Sequence, residues 1–258
     1  MEVYTVVPTA FGGPLVRPGG VSGAVPRLPG VVLGHGERPR DAAIRALPPG
    51  PGSSFAAGDL TLVRVLSDLR PRAGTAGVGL HVLRLLFAAP RGVVGEVDDV
   101  DPAALRDPDP APPAVRLPGA PPQVQRPAAY AVVVQGGKAL LSRVTGHGVW
   151  TLPGGGIDHG EHPDDAVRRE TIEETGLRLA SAELFDADGR HFTGRGPNHV
   201  LEDFHAVRVL YRGTVEEVRP PQVQEVGGST DAAAWIPLDR LRRLRLNDLA
   251  RSLLLGER

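Results

Sequence analysis

The chain has 258 residues, a formal net charge of −1 and a pI near 6.7, a balance that excludes a bulk basic field for nucleic acid or anionic lipid. It has no cysteine, which excludes a disulfide framework, a thiolate metal site and a cysteine nucleophile and fits a reducing compartment. Its 33 glycines and 26 prolines stop just short of the level that marks low complexity, so a folded, turn-rich protein is expected, and the length favours two domains.

The N-terminal residues Met1, Glu2, Val3 and Tyr4 lack the positive start and long apolar stretch of a signal peptide. The most apolar run, residues 82–89, is short and contains Arg84, so no membrane-spanning helix is expected. A soluble cytoplasmic protein is the default reading. Residues 28–47 read LPGVVLGHGERPRDAAIRAL, and 124 positions later residues 152–171 read LPGGGIDHGEHPDDAVRRET. Ten of the twenty positions are identical, among them Pro29/Pro153, His35/His159, Gly36/Gly160, Glu37/Glu161, Asp41/Asp165 and Arg45/Arg169. The same shift aligns HVLRLLF at 81–87 with HAVRVLY at 205–211. Biased composition does not hold one register over fifty residues, so the sequence reads as a duplication, with one domain at 1–105 and another at 128–258. Two copies are too few for a solenoid. Between them, residues 106–127 carry eight prolines. Proline lacks an amide donor and restricts its predecessor, so neither helix nor central strand suits this stretch; a semi-rigid extended linker does.

In the second half, residues 129–134 and 139–142 flank Gly136-Gly137 and read as a hairpin. Residues 153–160 read as a glycine-rich loop. A helix follows from Pro163, with Asp164 and Asp165 in its first turn, apolar Ala166, Val167 and Ile172, and Gly176 as C-cap. Residues 204–211 alternate as a strand, 186–199 and 212–231 read as loops, and 234–237 read as a short strand before helical spacing at Leu238, Leu241 and Leu244. Strands around a helix imply an α/β or α+β layered domain.

The chemistry concentrates in residues 155–177. On a helix Glu173 and Glu174 lie about −60° and +40° from Glu170, which puts three carboxylates within about 100° of one face. Such a cluster repels itself and opposes the dipole late in the helix. A solvated acidic face is the ordinary reading of an isolated ExxEE; the flanks change it. Gly154-Gly155-Gly156 permits close backbone approach, with a carbonyl as a further hard ligand. Arg169 can pair with Glu161 and hold the loop against the helix. Oxygen-only donors favour Mg²⁺ or Mn²⁺ over zinc.

This segment resembles the Nudix box, whose pattern is G, five residues, E, seven residues, then R-E-U-x-E-E-x-G-U with U bulky and aliphatic. Gly155, Glu161, Arg169, Glu170, Glu173, Glu174, Gly176 and Leu177 match it, and Thr171 departs at the first U. The lead-in at Trp150 and the Ala234-Trp235-Ile236-Pro237 stretch are also similar to the family. The resemblance implies two Nudix-like domains joined by the linker, each a mixed β-sheet packed between helices as an α+β sandwich. It implies hydrolysis of a nucleoside diphosphate linked to another moiety, with Mg²⁺ or Mn²⁺ held by Glu170, Glu173, Glu174 and the Gly155 carbonyl. Glu161 and Arg169 would support that set, and Trp150, Gly154 and Glu202 are candidates for touching substrate. Glu170, Glu202, Asp203 and Glu225 are candidates for the general base. A small-molecule diphosphate is the implied partner, with no membrane and no clear nucleic-acid partner.

The first copy keeps Glu37 and Arg45. Ala46, Pro49 and Gly50 stand at the positions of Glu170, Glu173 and Glu174, Val31 stands at that of Gly155, and Pro48, Pro49 and Pro51 would end the helix early. A catalytically dead copy is expected, acting as a built-in partner that mimics a dimer, or as a lid; a homodimer of the whole chain is the other arrangement. The alternative function is a non-catalytic nucleotide-binding or regulatory module. A Nudix-fold isomerase of isoprenoid diphosphates relies on a cysteine that this chain lacks. The run Arg240, Arg242, Arg243, Arg245 among leucines reads as an amphipathic helix with leucines inward.

Overall fold

In the computed structural model, residues 1–6, 28–47, 55–70, 79–88, 105, 108–113, 118–196, 199–224 and 227–257 are described. They form two compact units. One comprises Met1–Arg126 with Phe185–Val207, the other Pro127–Leu184 with Arg208–Arg258. Residues 185–207, which the sequence places in the second domain, therefore fold with the first. Among the described residues no helix is long and apolar enough to cross a membrane.

The first unit carries a four-stranded sheet built from β1 (Glu2–Val6), β2 (Gly30–Val32), β3 (Thr61–Arg70) and β4 (Leu80–Ala88), in the order β2-β1-β4-β3. β1 runs antiparallel to β2 and parallel to β4, and β3 runs antiparallel to β4, so the sheet is mixed. Glu2 lies opposite Arg84 in the parallel pair, and Arg84 Nε donates to Glu2 Oε2 at 3.0 Å. Both side chains are almost wholly buried, so this pair locks the register: a slip would strand a charge in the core. Helix α1 (Pro39–Ala46) packs Ala42, Ala43 and Ala46 inward. It stops at Leu47, which is extended (φ −69°, ψ 136°), as a residue before proline prefers. Pro48, Pro49, Gly50 and Pro51 themselves lie outside the described residues.

Two parts of the linker do more than connect. Asp109 bridges β2, accepting from Val32 N–H at 2.7 Å and donating to Gly30 O at 2.8 Å. Residues 123–127 open β5 (Gln123–Gln135), an interior strand of the second sheet. The expectation that residues 106–127 hold no central strand is thus corrected. Pro127 loses only its donor; its carbonyl still accepts from Ile157 N–H at 3.2 Å.

The second sheet has seven strands: β5, β6 (Lys138–Val144), β7 (Val149–Thr151), β8 (Gly154–Gly156), β9 (Leu179–Arg195), β10 (Leu201–Val215) and β11 (Thr230–Pro237). Its path is β11-β6-β5-β10-β9, with β7 added to β6 and β8 to β5. The β5–β6 hairpin turns at Gly136-Gly137, as expected, with Gln135 opposite Lys138. Two loop expectations are corrected. Gly154–Gly156 is a strand paired with Ala128–Tyr130, and residues 186–195 are the outer half of β9. Helix α2 (Pro163–Thr175) has Pro at its first turn, His162 as N-cap and Gly176 as a left-handed C-cap. The leucine–arginine run forms a 3₁₀ turn, Leu238–Arg243, with Leu241 buried, and helix α3 (Asp248–Leu255) follows.

Candidate functional site

The site is built where β8 leads into α2. Asp158 N–H donates to Glu161 Oε2 at 2.9 Å, which fixes the turn between them. Arg169, on the second turn of α2, reaches back with a bidentate grip on Glu161: Nε to Oε1 at 2.8 Å and Nη2 to Oε2 at 2.9 Å. Nη2 also donates to Gly156 O at 3.0 Å. Nη1 donates to Glu170 Oε1 at 2.8 Å and to Glu173 Oε2 at 3.1 Å. One planar guanidinium therefore joins the loop, the strand and two helix carboxylates, a role its fork geometry suits and lysine's point charge does not. Its bonds to Glu161 raise its pKa further, so it stays charged.

Glu170 and Glu174 occupy different environments. The Glu170 carboxylate lies against the α-carbon of Gly155, and a Cβ added there would stand 2.6 Å from it. Glu174 is 3% exposed. It accepts from Gly154 N–H at 3.0 Å and from the Thr230 hydroxyl at 2.7 Å. Burial pushes its carboxyl up to about 7, against the pull of those two donors. The helix explains the split: Glu174 follows Val167 and Thr171 at seven and three residues, on the stripe that also buries Ala166 and Thr175, whereas Glu173 points out beside Arg169. Thr171, the departure at an aliphatic position, is fully buried and donates its hydroxyl to Val167 O at 2.7 Å. Its polarity is thereby satisfied within the helix.

The remaining candidates fall elsewhere. Trp150 is half-buried, its backbone held by Arg245 O and Asn247 N–H, and the Arg143 guanidinium lies 5.7 Å from its ring centre. Gly154 serves through its N–H, already given to Glu174. Glu202 belongs to the first unit, is buried, and is paired with Arg126 at 3.2 Å. Asp203, also in the first unit, contacts His35 and His191. Glu225 lies outside the described residues. Thr230, 56 residues from the glutamate it supports, was not legible in the sequence; no local pattern marks so distant a partner. Among the described residues one group of three His, Asp or Glu side chains brings its ligand atoms within 4.8 Å of one another, and it is His35, His191 and Asp203. The three box carboxylates do not meet that spacing: Arg169 engages Glu170 and Glu173, and Gly154 and Thr230 engage Glu174.

The family model for the NUDIX domain matches residues 124–255. The chain belongs to the Nudix family. Over 48 residues this Nudix protein is 46% identical to an RNA pyrophosphohydrolase of Psychrobacter cryohalolentis, covering 19% of this chain and 28% of that one. It is 43% identical over 53 residues to a MutT-like protein of Streptomyces ambofaciens, 20% of this chain and 34% of that one. The Nudix chain thus spans about a third of the length of these two relatives. Among solved structures, a MutT NUDIX hydrolase from Burkholderia pseudomallei is 28% identical, with 52% of this chain and 98% of that one covered and a TM-score of 0.39.

The first unit of the Nudix protein repeats the loop's bond pattern. Arg45 grips Glu37 through Nε and Nη2, both at 2.8 Å, and Nη2 donates to Val32 O at 2.9 Å. Gly34 N–H donates to Glu37 Oε2 at 2.7 Å. Each atom pair has its counterpart 124 residues later, in Arg169, Glu161, Gly156 and Asp158. No carboxylate follows Arg45, since Ala46 is next.

Proposed function

We propose that residues 127–258 carry a divalent-metal-dependent hydrolase that cleaves the pyrophosphate linkage of a nucleoside diphosphate joined to another moiety. The observation that carries this reading is the convergence of Gly155, Glu161, Arg169 and Glu170 in one bonded loop–helix junction, in the order and spacing of the family's box. The donor set fits a hard cation. Glu170, Glu173, Glu174 and the Gly155 carbonyl offer only oxygens, and burial raises the Glu174 pKa to about 7, a cost to the charged form that a positive ion nearby would offset. Mg²⁺ or Mn²⁺ bound there would neutralise the diphosphate and lower the pKa of a water.

The chain's own residues supply placement. Arg169 and Glu161 fix the loop so that the α-carbon of Gly155 lies against the Glu170 carboxylate. Thr230 and Gly154 fix the Glu174 rotamer, so the carboxylate needs no reorganisation when charge develops nearby. Glu170 is the candidate base within the junction itself; Glu202 and Asp203 carry ion-pair partners in the first unit, and Glu225 stays a further candidate. The bond pattern of Arg45 and Glu37 supports reading the first unit as a degenerate Nudix-like copy that keeps the scaffold and has lost the ligands.

The test is phosphate release by the full chain with Mg²⁺ on a panel of ADP-ribose, nucleotide sugars, dinucleoside polyphosphates and RNA, the last because several relatives carry the name RNA pyrophosphohydrolase. Glu174→Gln should lose several orders of magnitude in turnover with the fold intact. Equal rates for the two proteins would show that the metal is held elsewhere, and no turnover on any substrate would favour a binding module.

A further inference from the structure

Outside the Nudix box, the first unit gathers histidines from distant parts of the chain. His35 lies between β2 and α1, His191 on β9, and Asp203 and His205 on β10. His35 Nε2 lies 3.3 Å from Asp203 Oδ2, and His191 Nε2 contacts Asp203 Oδ1. Both imidazoles thus aim the same nitrogen at one carboxylate. Their rings meet nearly at right angles, with centroids 5.1 Å apart. His35 Nε2 is buried, and its approach to Asp203 Oδ2 is not aligned as a hydrogen bond.

We propose that His35, His191 and Asp203 form a binding site for a divalent transition-metal ion of the zinc class. Two imidazoles and a carboxylate suit zinc, cobalt or nickel better than magnesium. Ligand atoms on a tetrahedral zinc, each about 2.0–2.1 Å from the ion, stand about 3.3–3.4 Å from one another. The separation of His35 Nε2 from Asp203 Oδ2 already matches that.

The surroundings are shaped for it. The His191 ring lies on the backbone of Gly36, where a Cβ would stand 3.2 Å from it; that glycine lets the exposed imidazole swing in. His205 packs edge-on against His35 with centroids 5.6 Å apart, and its Nδ1 is 3.0 Å from Gln125 Nε2. His191 is half-exposed and Asp203 partly so, which leaves an ion a way in. A bound ion would clip the outer part of the β9–β10 hairpin to the loop before α1.

The experiment uses the full chain, stripped with chelator and held in excess Mg²⁺ so that the glutamates are occupied. Titration with Co²⁺ should give visible d–d absorption that saturates at one equivalent, and Zn²⁺ should displace it. His191→Ala and Asp203→Asn should abolish the band and weaken Zn²⁺ binding by about 100-fold or more. His191→Cys, which offers a thiolate in place of the imidazole, should keep tight binding. His159→Ala, at the exposed equivalent position in the second unit, should change nothing. Absence of the band in the wild type, or unchanged affinity in His191→Ala, would overturn the proposal.

Discussion

Both carboxylate oxygens of Glu174 accept hydrogen bonds from protein donors and the side chain is almost wholly buried, and this has a measurable consequence for stability. Its folded pKa of about 7 stands above the ordinary 4.5. Below about 4.5 both folded and unfolded chains hold the proton. Between about 4.5 and 7 the unfolded chain releases it while the folded one keeps it, so stability falls as pH rises, and above 7 the loss is complete. The full effect is on the order of 3–4 kcal/mol. In chelator, Glu174→Gln should therefore match the wild type near pH 4.5 and melt at higher temperature at pH 8. A difference in Tm that does not vary with pH would contradict the assigned environment. Gly155 acts by absence of a side chain. Gly155→Ala would drive a methyl into the Glu170 carboxylate, the mobile end of a flexible side chain, so the protein should fold normally and lose at least tenfold in turnover, read by comparing Tm with kcat. The types and spacing of these residues were legible in the sequence; that Glu174 turns inward while Glu173 stays with Arg169 was not, because it depends on which stripe of α2 the sheet buries.

At the scale of elements, α2 was readable at both ends, through Pro163 with its acidic first turn and through Gly176. The C-cap is also a packing point: Gly176 has φ 68°, and a Cβ there would meet Gln222 O at 2.7 Å. Gly176→Ala should cost about 2 kcal/mol or more, from the left-handed backbone and the clash together; a Tm unchanged within error would contradict the contact. β8 and the outer half of β9 were not readable. Gly154–Gly156 offers no alternating side chains, and residues 186–195, DADGRHFTGR, have neither β-branched density nor period-two alternation. Backbone pairing, not side-chain pattern, makes them strands. Pro127 misled in the opposite direction, since one missing donor did not keep β5 from forming around it.

For the whole molecule, the proline-rich stretch was visible; the two compact units divide between Arg126 and Pro127, between Leu184 and Phe185, and between Val207 and Arg208. The return of residues 185–207 to the first unit was not visible, because it rests on contacts such as Arg40 Nη2 to Asp186 Oδ1 at 2.6 Å and Arg126 to Glu202 at 3.2 Å, separated by 146 and 76 positions. These pairs are partly exposed and individually worth little, but together with His35, His191 and Asp203 they show that the first unit is assembled from two stretches of chain. Residues 127–258 produced alone should therefore melt below the full chain and expose 185–207 to protease; equal Tm and equal protection would refute this.

That arrangement makes the hairpin arm a donated part. A polypeptide cut between Arg126 and Pro127 would leave each piece missing something only the other can give, so the two pieces mixed in solution should find each other and restore the histidine cluster. The nick would turn one chain into a pair whose association constant reads out, in a single titration, how strongly the arm is gripped.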